Sequence, residues 1–510
     1  MRAPVSINFR ICFNKVRISG THNNKTKGTN EMKKTIFKAL VIALTLALAA
    51  PAMATNGYQL IGIGQMEKSM GGAVTAAPMD AMSAISNPAG IARVGKRADF
   101  SMEMFMPTRE TNFGAFGGQT EQGGTDMYGV PALGWTAPAF DRDDMWFGGG
   151  MYGTSGLGVD YGEMNMMPSA NLTGMLGGIG MNCADASGTA IACSDMDFDG
   201  HSALMFWKMA PTVAWDVNKD LTLGVAMNLD YQSVAITQRF NGIPFINPFG
   251  TAPTDVYQMD INFDLGRPTS QLGYGATLGA LYDVSEMITV GFSYSSKQSF
   301  GDAEFRVGTG DVMNYNGAVG TPGTYKMGLD FPQQAAVGVS VKPTDALLIA
   351  ADLKWINWSD THDKVSFSGP ANSFDTNGDG AGDASSTTLN FGWDDQTVIA
   401  LGMQYRVSEA LAVRAGYNYA KSPVGEEDVF NNLVFPAIVE QHIAVGADYK
   451  LGTNWAVAAT YMKAFSNELT GKGDVPAGMQ NPVTIFPADS GVKISLEESS
   501  LGFQLTYYMD

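Results

Sequence analysis

The chain has 510 residues, 60 of them glycine, and a formal net charge of −18 at pH 7. Such an acidic chain repels a phosphate backbone, so nucleic acid is excluded as a partner. Charged residues make up only 16% and the mean hydropathy is −0.03, whereas an ordinary soluble domain has about 25% charged residues. These values predict no bundle of transmembrane helices, but they fit both a soluble β-protein and an outer-membrane barrel.

The N-terminus has the features of an export leader. Lys33 and Lys34 are basic and follow Met32, residues 39–50 are mainly apolar, and small residues follow up to Ala54. We therefore predict a signal peptide over 32–54, preceded by a misassigned or extended N-terminus over 1–31. After Ala54 no apolar run approaches the ~18 residues of a membrane-spanning helix.

A compact, glycine-rich segment over 55–97 follows the leader and contains Asn87, Pro88 and Ala89. Proline lacks a backbone donor and biases the residue before it away from helix, so a short helix over 80–85 is predicted to end there. The three residues either hold a tight turn or take part directly in gating, and both can be true. A segment in this position either links two parts outside a barrel or folds into the lumen as a plug, and we favour the plug.

Apolar residues alternate with small or polar ones along most of residues 98–510, for example over 221–230, 273–282 and 288–295. A period of two predicts strands whose two faces meet different environments. A β-sandwich would show the same alternation, so the connections must decide. Short turns are predicted at 141–143, 218–220, 284–286, 342–344, 407–409 and 452–454, and long polar connections at 108–129, 158–203, 239–269, 300–326, 359–388, 421–436 and 467–493.

This alternation of short turns with long loops is typical of outer-membrane barrels, in which short turns face the periplasm. Closure also pairs every backbone group in lipid. We therefore predict an all-β fold, a transmembrane antiparallel β-barrel of about 14 strands over 98–510 with the 55–97 plug in its lumen. Residues 500–507 resemble the last-strand signal that barrel assembly machinery recognises, although the chain ends in Met509-Asp510 instead of on an aromatic residue.

Read as a barrel, the chain resembles the FadL/TodX family of outer-membrane transporters for long-chain fatty acids and aromatic hydrocarbons. The stretches that carry the resemblance are Gly57-Tyr58-Gln59-Leu60, Gly71-Gly72-Ala73 followed by Asn87-Pro88-Ala89, Trp358-Ser359, and Arg414-Ala415-Gly416 followed by Ser422-Pro423-Val424. The resemblance implies a fourteen-stranded barrel in the outer membrane of a Gram-negative bacterium, in contact with lipid and lipopolysaccharide. It also implies passive uptake of hydrophobic molecules past a hatch, whose gating residues would be Gly57, Tyr58, Gln59, Leu60, Asn87, Pro88 and Ala89.

Two further features suit an apolar cargo. The third long connection contains Phe240, Ile243, Phe245, Ile246 and Phe249. Exposed apolar patches commonly mark binding sites, and the resemblance places a low-affinity groove in this region. The alternative is a small core beneath the loop.

Glycines in the third strand mark a bulge or kink, namely Gly149, Gly150 and Gly153. In the family such a kink opens a lateral window from the lumen to the bilayer. Close packing of the hatch is an equally good reason for glycine here.

The remaining candidates are a disulfide and a metal site. Cys183 and Cys193 lie in one loop of an exported protein, which favours a disulfide over a metal or redox site. A structural calcium site is a weaker prediction from Asp375, Asn377, Asp379 and Asp383, because Ser386 stands where a calcium loop has glutamate. A second acidic run over 195–200 repeats the spacing with the same defect.

No enzyme is predicted, because His201, His362 and His442 are scattered and have no flanking signature. We predict passive transport of hydrophobic compounds, with long-chain fatty acids as the cargo, and no cofactor beyond that calcium. A general porin for hydrophilic solutes is the rival and an adhesin the third class. Trp355 and Trp358 are placed in the interfacial aromatic girdle.

Overall fold

The computed structural model describes residues 55–124, 127–140, 142–185, 188–246, 255–308, 314–315, 318–319, 321–374, 382–475 and 487–509. The predicted signal peptide (32–54) and the N-terminus before it (1–31) lie outside these residues. Among the residues described, no helix is long and apolar enough to cross a membrane.

Fourteen antiparallel strands form a closed barrel, as predicted. In chain order they are β1 Arg97–Asn112, β2 Tyr128–Pro138, β3 Met145–Met167, β4 Met196–Met209 continued by Thr212–Asp216, β5 Leu221–Ile246, β6 Asp255–Ser285, β7 Ile288–Ser295, β8 Gln334–Thr344, β9 Leu347–Ile356, β10 Gln396–Arg406, β11 Leu411–Ala420, β12 Gln441–Leu451, β13 Trp455–Thr470 and β14 Lys493–Tyr508. The last strand pairs with the first, from Lys493↔Asn112 to Tyr508↔Arg97, so the sheet has no open edge.

The predicted rhythm of turns and loops is confirmed. Short turns join β2 to β3, β4 to β5, β6 to β7, β8 to β9, β10 to β11 and β12 to β13, and the seven other connections are longer. Some predicted loop boundaries are wrong, because strands continue into them. The second long connection, expected over 158–203, contains the end of β3 up to Met167 and the start of β4 from Met196. The third long connection, expected over 239–269, is mostly strand, because β5 continues to Ile246 and β6 begins at Asp255.

The alternation separates a lipid face from a lumen face. On β5, Leu223, Val225, Met227 and Leu229 are 37–56% exposed, whereas Asn228 between them is fully buried. An outward apolar band of this kind is the surface that a barrel presents to lipid.

The N-terminal segment (residues 55–96) lies inside the barrel. Its regular elements are the paired strands Thr55–Asn56 and Gln59–Leu60, helix α1 Gln65–Ser69, helix α2 Ser83–Ser86 and the 3₁₀ helix Pro88–Ala92. The helix predicted over 80–85 thus begins and ends slightly later, and it stops at Asn87 as expected.

The N-terminal segment packs against inward-facing glycines of the barrel strands. On seven strands, a Cβ atom added to the glycine would lie only 1.9–2.7 Å from an atom of the segment. We call these residues the glycine belt: Gly224, Gly279, Gly291, Gly402, Gly416, Gly446 and Gly502. Any larger side chain there would collide with the segment. The small lumen face of the strands is therefore the surface against which the segment packs.

Extracellular connections carry the remaining elements. They include helix α3 Ser169–Gly178, helix α4 Ser359–His362, and a separate four-stranded sheet of Ala303–Val307, Gly323–Met327, Lys364–Ser368 and Ser386–Asn390. Short 3₁₀ helices occur at Gly114–Phe116, Glu426–Asp428 and Phe430–Asn432, and two- or three-residue strands at Thr120–Gln122, Asn182–Cys183, Ser299–Phe300, Asn314–Tyr315 and Ala318–Val319.

Candidate functional site: the N-terminal segment and the lumen

Tyr58 anchors the start of the N-terminal segment in an aromatic cluster. Its side chain is 1% exposed, and its ring centroid lies 4.9–5.9 Å from those of Phe206, Phe331, Trp358, His362 and Trp393. We call these six residues the aromatic anchor. The prediction that Trp358 lies in the interfacial girdle is wrong, because the residue is fully buried. Trp355 is 37% exposed, as a girdle residue would be.

A neutral hydrogen bond reinforces the anchor. Tyr58 Oη lies 2.8 Å from His362 Nε2, and His362 Nδ1 lies 2.7 Å from Thr361 Oγ1. Burial lowers the pKa of His362 to about 3 and raises the pKa of Tyr58 well above its ordinary value. Both groups are therefore uncharged at neutral pH. Gly57 precedes them with φ of +60°, and a Cβ there would lie 2.8 Å from Trp358 Cζ2.

Asn87 ties the segment to the wall. Its Nδ2 donates to the Thr75 carbonyl (2.7 Å) and the Ala280 carbonyl (3.2 Å), and its Oδ1 accepts from the Ala89 amide. Pro88 begins the 3₁₀ helix that follows, where its missing donor costs nothing. The tight-turn interpretation thus describes the geometry of Asn87, Pro88 and Ala89, which also contact β6.

Gly71 and Gly416 bring the backbones of the segment and the wall together. A Cβ on Gly416 would lie 2.1 Å from Gly71 N, and a Cβ on Gly71 would lie 2.7 Å from Tyr417 N. The side chain of Asn418 donates to the Gly71 carbonyl at 3.1 Å. Two of the motifs that carry the family resemblance therefore face each other directly.

The segment packs against the wall through apolar clusters, such as Met70 and Val74 with Leu348, and it also makes polar contacts with the wall. Asp352 accepts the amides of Val74 and Thr75 at 2.9 and 2.8 Å, and Lys68 pairs with Glu103 at 2.7 Å with both side chains buried. Unlike an apolar core, such contacts can be exchanged for water when the segment moves.

Two carboxyl groups of the segment are buried near each other. Burial and then the nearby Asp99 raise the pKa of Asp80, Arg97 opposes them, and the resulting pKa is about 6. Burial, and then Asp80, raise the pKa of Glu67 well above its usual range. Glu67 accepts hydrogen bonds from two serines of α2, Ser83 and Ser86.

We predict that the segment is held more weakly at pH 7 than at pH 4.5. A carboxyl whose folded pKa lies above its unfolded value stabilises the folded state at low pH, and this contribution falls as the pH rises from about 4 to about 6 for Asp80. The shift corresponds to up to about 3 kcal/mol. The release of the segment should be followed by chemical denaturation at both pH values. Asp80→Asn should flatten the dependence, whereas Asp143→Asn in a turn should not; equal stability at both pH values would contradict the prediction.

A small cavity of about 80 Å³ lies between the segment and the barrel wall. We call it the lumen cavity, and its lining includes Gln59, Leu60, Thr154, Lys208, Phe331 and Lys354. Lys208 pairs with Asp230 at 3.8 Å, with side-chain exposures of 9% and 3%. Among the described residues Lys354 forms no ion pair. The cavity thus offers two ammonium groups and the carboxyl group of Glu67 beside the aromatic anchor.

The wall opens beside the start of the segment. β2 and β3 pair only from Ala132↔Tyr152 to Pro138↔Trp146. Beyond Tyr152, β3 pairs instead with the segment, where Ser155 opposes Gln59 and the Gly156 amide donates to the Tyr58 carbonyl at 3.3 Å. We call the seam between β2 and β3 beyond Ala132 and Tyr152, where these two strands do not pair, the wall gap.

The three predicted kink glycines differ in their surroundings. Gly149 has φ of +138°, and a Cβ on Gly150 would lie 1.8 Å from the Leu133 carbonyl oxygen, so both belong to the paired ladder. Gly153 adjoins the wall gap, and a Cβ there would lie 2.6 Å from Val130 Cγ1. A register shift against β4 occurs between Gly153 and Ser155.

Comparison with known proteins agrees with this architecture. Residues 180–478 match the family model described as outer membrane protein transport protein (OMPP1/FadL/TodX). The chain belongs to this family. By that description it is an outer-membrane transport protein.

Solved structures of OMPP1/FadL/TodX type share its fold. The Pseudomonas putida toluene transporter TodX is 18% identical, with a TM-score of 0.61 over 89% of this chain and 100% of that one. A Pseudomonas aeruginosa FadL homologue is 16% identical, with a TM-score of 0.60 over 90% and 100%. The Ralstonia pickettii toluene transporter TbuX is 17% identical, with a TM-score of 0.57 over 87% and 98%.

A putative outer membrane protein of Neisseria meningitidis serogroup B is 25% identical over 261 residues. That match covers 47% of this chain. The chain spans about half the length of this curated relative, 54%.

The predicted apolar landing surface of this FadL-type channel needs correction. Phe240 and Ile243 are 7% and 0% exposed. Phe240 stacks on Phe430 and packs against Phe198, with ring centroids 5.6 and 5.0 Å apart. These residues form a core because β5 rises above the membrane and the β11–β12 loop covers it. Phe245 and Ile246 end β5, and Phe249 lies outside the described residues.

Cys183 and Cys193 are joined by a disulfide bond, with an S–S distance of 2.09 Å. Of the predicted calcium ligands, Asp375, Asn377 and Asp379 lie outside the described residues, while Asp383 is described. No group of three or more histidine, cysteine or acidic side chains suited to a metal occurs in the described ranges.

The second acidic run does not converge on one point. Asp195 accepts the Ser169 amide, Asp197 accepts from Asn165, and Asp199 pairs with Arg239. Its carboxylates therefore have separate partners.

Proposed function

We propose that this channel carries long-chain fatty acids across the outer membrane by passive diffusion, with the N-terminal segment acting as a hatch. The observation that carries the proposal is the pair of ammonium groups, Lys208 and Lys354, in the lumen cavity of a chain whose net charge is −18. A monoaromatic hydrocarbon needs no cation, whereas a fatty carboxylate does. The aromatic anchor supplies apolar surface next to these cations.

The hatch must move for cargo to pass. Its polar contacts with the wall, such as Asp352 with Val74 and Thr75, can be replaced by water at small net cost. Cargo would then leave through the wall gap or on the periplasmic side. Entry into lipid gains about 0.8 kcal/mol for each buried CH₂ group, so diffusion needs no other energy source.

The first test is a titration of the purified protein with oleate, oleyl alcohol and toluene, read by tryptophan fluorescence. Trp358 and Trp393 lie in the anchor beside the cavity, so a bound ligand should change their emission. We expect saturable binding of oleate and at least tenfold weaker binding of the alcohol, which has the same chain without the charge. Tighter binding of toluene than of oleate would overturn the assignment. Absence of all binding, with steady conductance in planar bilayers, would favour the general porin.

Lys354→Met should weaken oleate binding at least tenfold and leave oleyl alcohol unaffected. A hydrogen bond to a charged group contributes about 1.5–3 kcal/mol, and methionine keeps most of the side-chain volume. The matched control is Lys219→Met, because the side chain of Lys219 is 89% exposed in a turn. Equal losses for oleate and the alcohol would show that the variant damages packing and not charge recognition.

Gly153→Leu should reduce uptake of a radiolabelled fatty acid severalfold if release is lateral. Its side chain would fill the wall gap beside Val130, whereas a substitution at Gly149 or Gly150 would break the ladder itself. Heat-modifiable gel mobility should show a folded barrel. Gly177→Leu, which has open space around it, is the control; unchanged uptake in a folded Gly153→Leu protein would exclude release through this gap.

A further inference from the structure

A second, larger cavity lies on the periplasmic side of the N-terminal segment. Its volume is about 480 Å³, and it is bounded by the segment residues Ala76–Met79 and by the ends of strands next to the short turns, including Lys342, Ser408 and Lys450. We call it the periplasmic cavity. It is separate from the lumen cavity, with which it shares no lining residue.

The lining of this cavity is unusually basic for so acidic a chain. Six basic side chains face three acidic ones, Asp283, Glu409 and Asp448. The basic side chains are Arg93, Arg97, Lys342, Arg406, Arg414 and Lys450.

Ion pairs account for only half of these cations. Arg93 pairs with Asp283 at 2.8 Å, Arg97 with Asp99 at 2.7 Å, and Arg414 with Asp448 at 2.5 Å. Among the described residues Lys342, Arg406 and Lys450 have no carboxylate partner, although Lys450 lies over the Tyr508 ring. When the negative charge of Glu409 is subtracted from the positive charges of these three residues, the lining still has a net positive charge.

The guanidinium group of Arg414 points into the barrel. The residue is 7% exposed. Its Nε donates to Gln404 at 2.8 Å, yet its Nη1 is buried and has no hydrogen-bond partner among the residues that the structure describes. A buried guanidinium donor normally has an acceptor. An oxyanion in the periplasmic cavity would supply one.

Apolar groups also contribute to the lining. They are Met66, Pro78 and Met79 of the segment, and Leu348 and Leu411 of the barrel wall. A site that combines several cations with apolar groups matches an anionic amphiphile better than a free inorganic ion.

We propose that the periplasmic cavity binds the oxyanionic headgroup of an amphiphile, with Arg414, Arg406 and Lys342 as the contacting cations. A fatty carboxylate arriving past the hatch and the phosphate of an inner-leaflet lipid share this chemistry. If the ligand is the cargo, which rests on the proposed function, the cavity is an exit site that holds the carboxylate as the hatch closes behind it.

A fluorophore on Ser408→Cys would report on this cavity in the full-length protein. The dye is to be titrated with oleate, oleyl alcohol, dioleoylphosphatidylglycerol in mixed micelles, and inorganic phosphate. We expect a saturable response to oleate that the alcohol does not produce. A response to the phospholipid as well would identify the lipid as a second source of the headgroup. An equal response to the alcohol, or a response to phosphate at the oleate concentration, would overturn the amphiphile site.

The double variant Lys342→Gln/Arg406→Gln should weaken the oleate response at least tenfold. Both side chains are exposed at strand ends, so the barrel should fold, which Arg414→Gln cannot guarantee. Lys219→Gln, in a turn outside this lining, is the charge control. An unchanged affinity in the double variant would refute the proposal. Tryptophan fluorescence at the lumen cavity, measured in the same variant, distinguishes this failure from failure of the proposed function.

Discussion

Gly416→Leu should convert the closed channel into one with steady ion conductance. A Cβ at this position would lie 2.1 Å from Gly71 N, 2.3 Å from Met70 C and 2.6 Å from Gly71 Cα, all backbone atoms of the N-terminal segment. Backbone cannot rotate away as a flexible side chain can, so the segment must shift. The barrel strand itself has no reason to unfold, because its ladder partners lie on the two sides and not toward the lumen.

Planar-bilayer recording is the direct measurement. The wild-type protein should show low conductance, and Gly416→Leu a persistent current together with loss of cargo selectivity. Gly502→Leu makes an independent second variant, although there the nearest atoms belong to the flexible side chain of Gln65; its effect should be smaller. Gly301→Leu, with nothing within 4 Å, is the control. A closed Gly416→Leu channel would mean that the segment has other ways to pack.

Tyr58→Ala should release the start of the segment while the barrel stays folded. Replacing a buried aromatic residue by alanine commonly costs about 3–5 kcal/mol, and Tyr58 contacts five aromatic rings and the imidazole nitrogen of His362. The anchor lies on the extracellular part of the lumen, so its loss should expose the segment to solvent.

Accessibility of a cysteine introduced at Thr55 would measure this release. Thr55 is 1% exposed, so a thiol there should react slowly in the otherwise wild-type protein and at least tenfold faster with Tyr58→Ala. Tyr58→Phe separates the two contributions, since it keeps the rings and loses only the hydrogen bond, worth about 1 kcal/mol. Equal reactivity in all three proteins would show that the anchor does not hold the segment.

Interpretation of the sequence succeeds where the physical cause is local. Lipid on one side of a strand and the lumen on the other impose a period of two, and the short turns at 218–220, 407–409 and 452–454 interrupt it. The period of two does not mark the strands where they extend beyond the membrane. Residues 239–246 and 255–269 read as loop, yet they continue β5 and β6, because no lipid enforces the contrast between faces there.

Long-range contacts explain the other differences. Tryptophan favours membrane interfaces, so the sequence predicts that Trp358 lies in the girdle. In the structure Trp358 packs against the ring of Tyr58, which is distant from it in the sequence. Phe240 reads as an exposed landing residue, but Phe430 covers it. The unpartnered Nη1 of Arg414 has no sequence signature at all.

The sequence by itself determined the membrane barrel, its strand count, the alternation of short turns with long connections and the family, since each depends on a local pattern or motif. The tertiary structure decided what the lumen contains and what its glycines do. In the sequence, Gly416 is one of 60 glycines, and only the structure shows that it lies against Gly71. Steric exclusion acts between atoms in contact, and only the closed barrel brings these parts of the chain into contact.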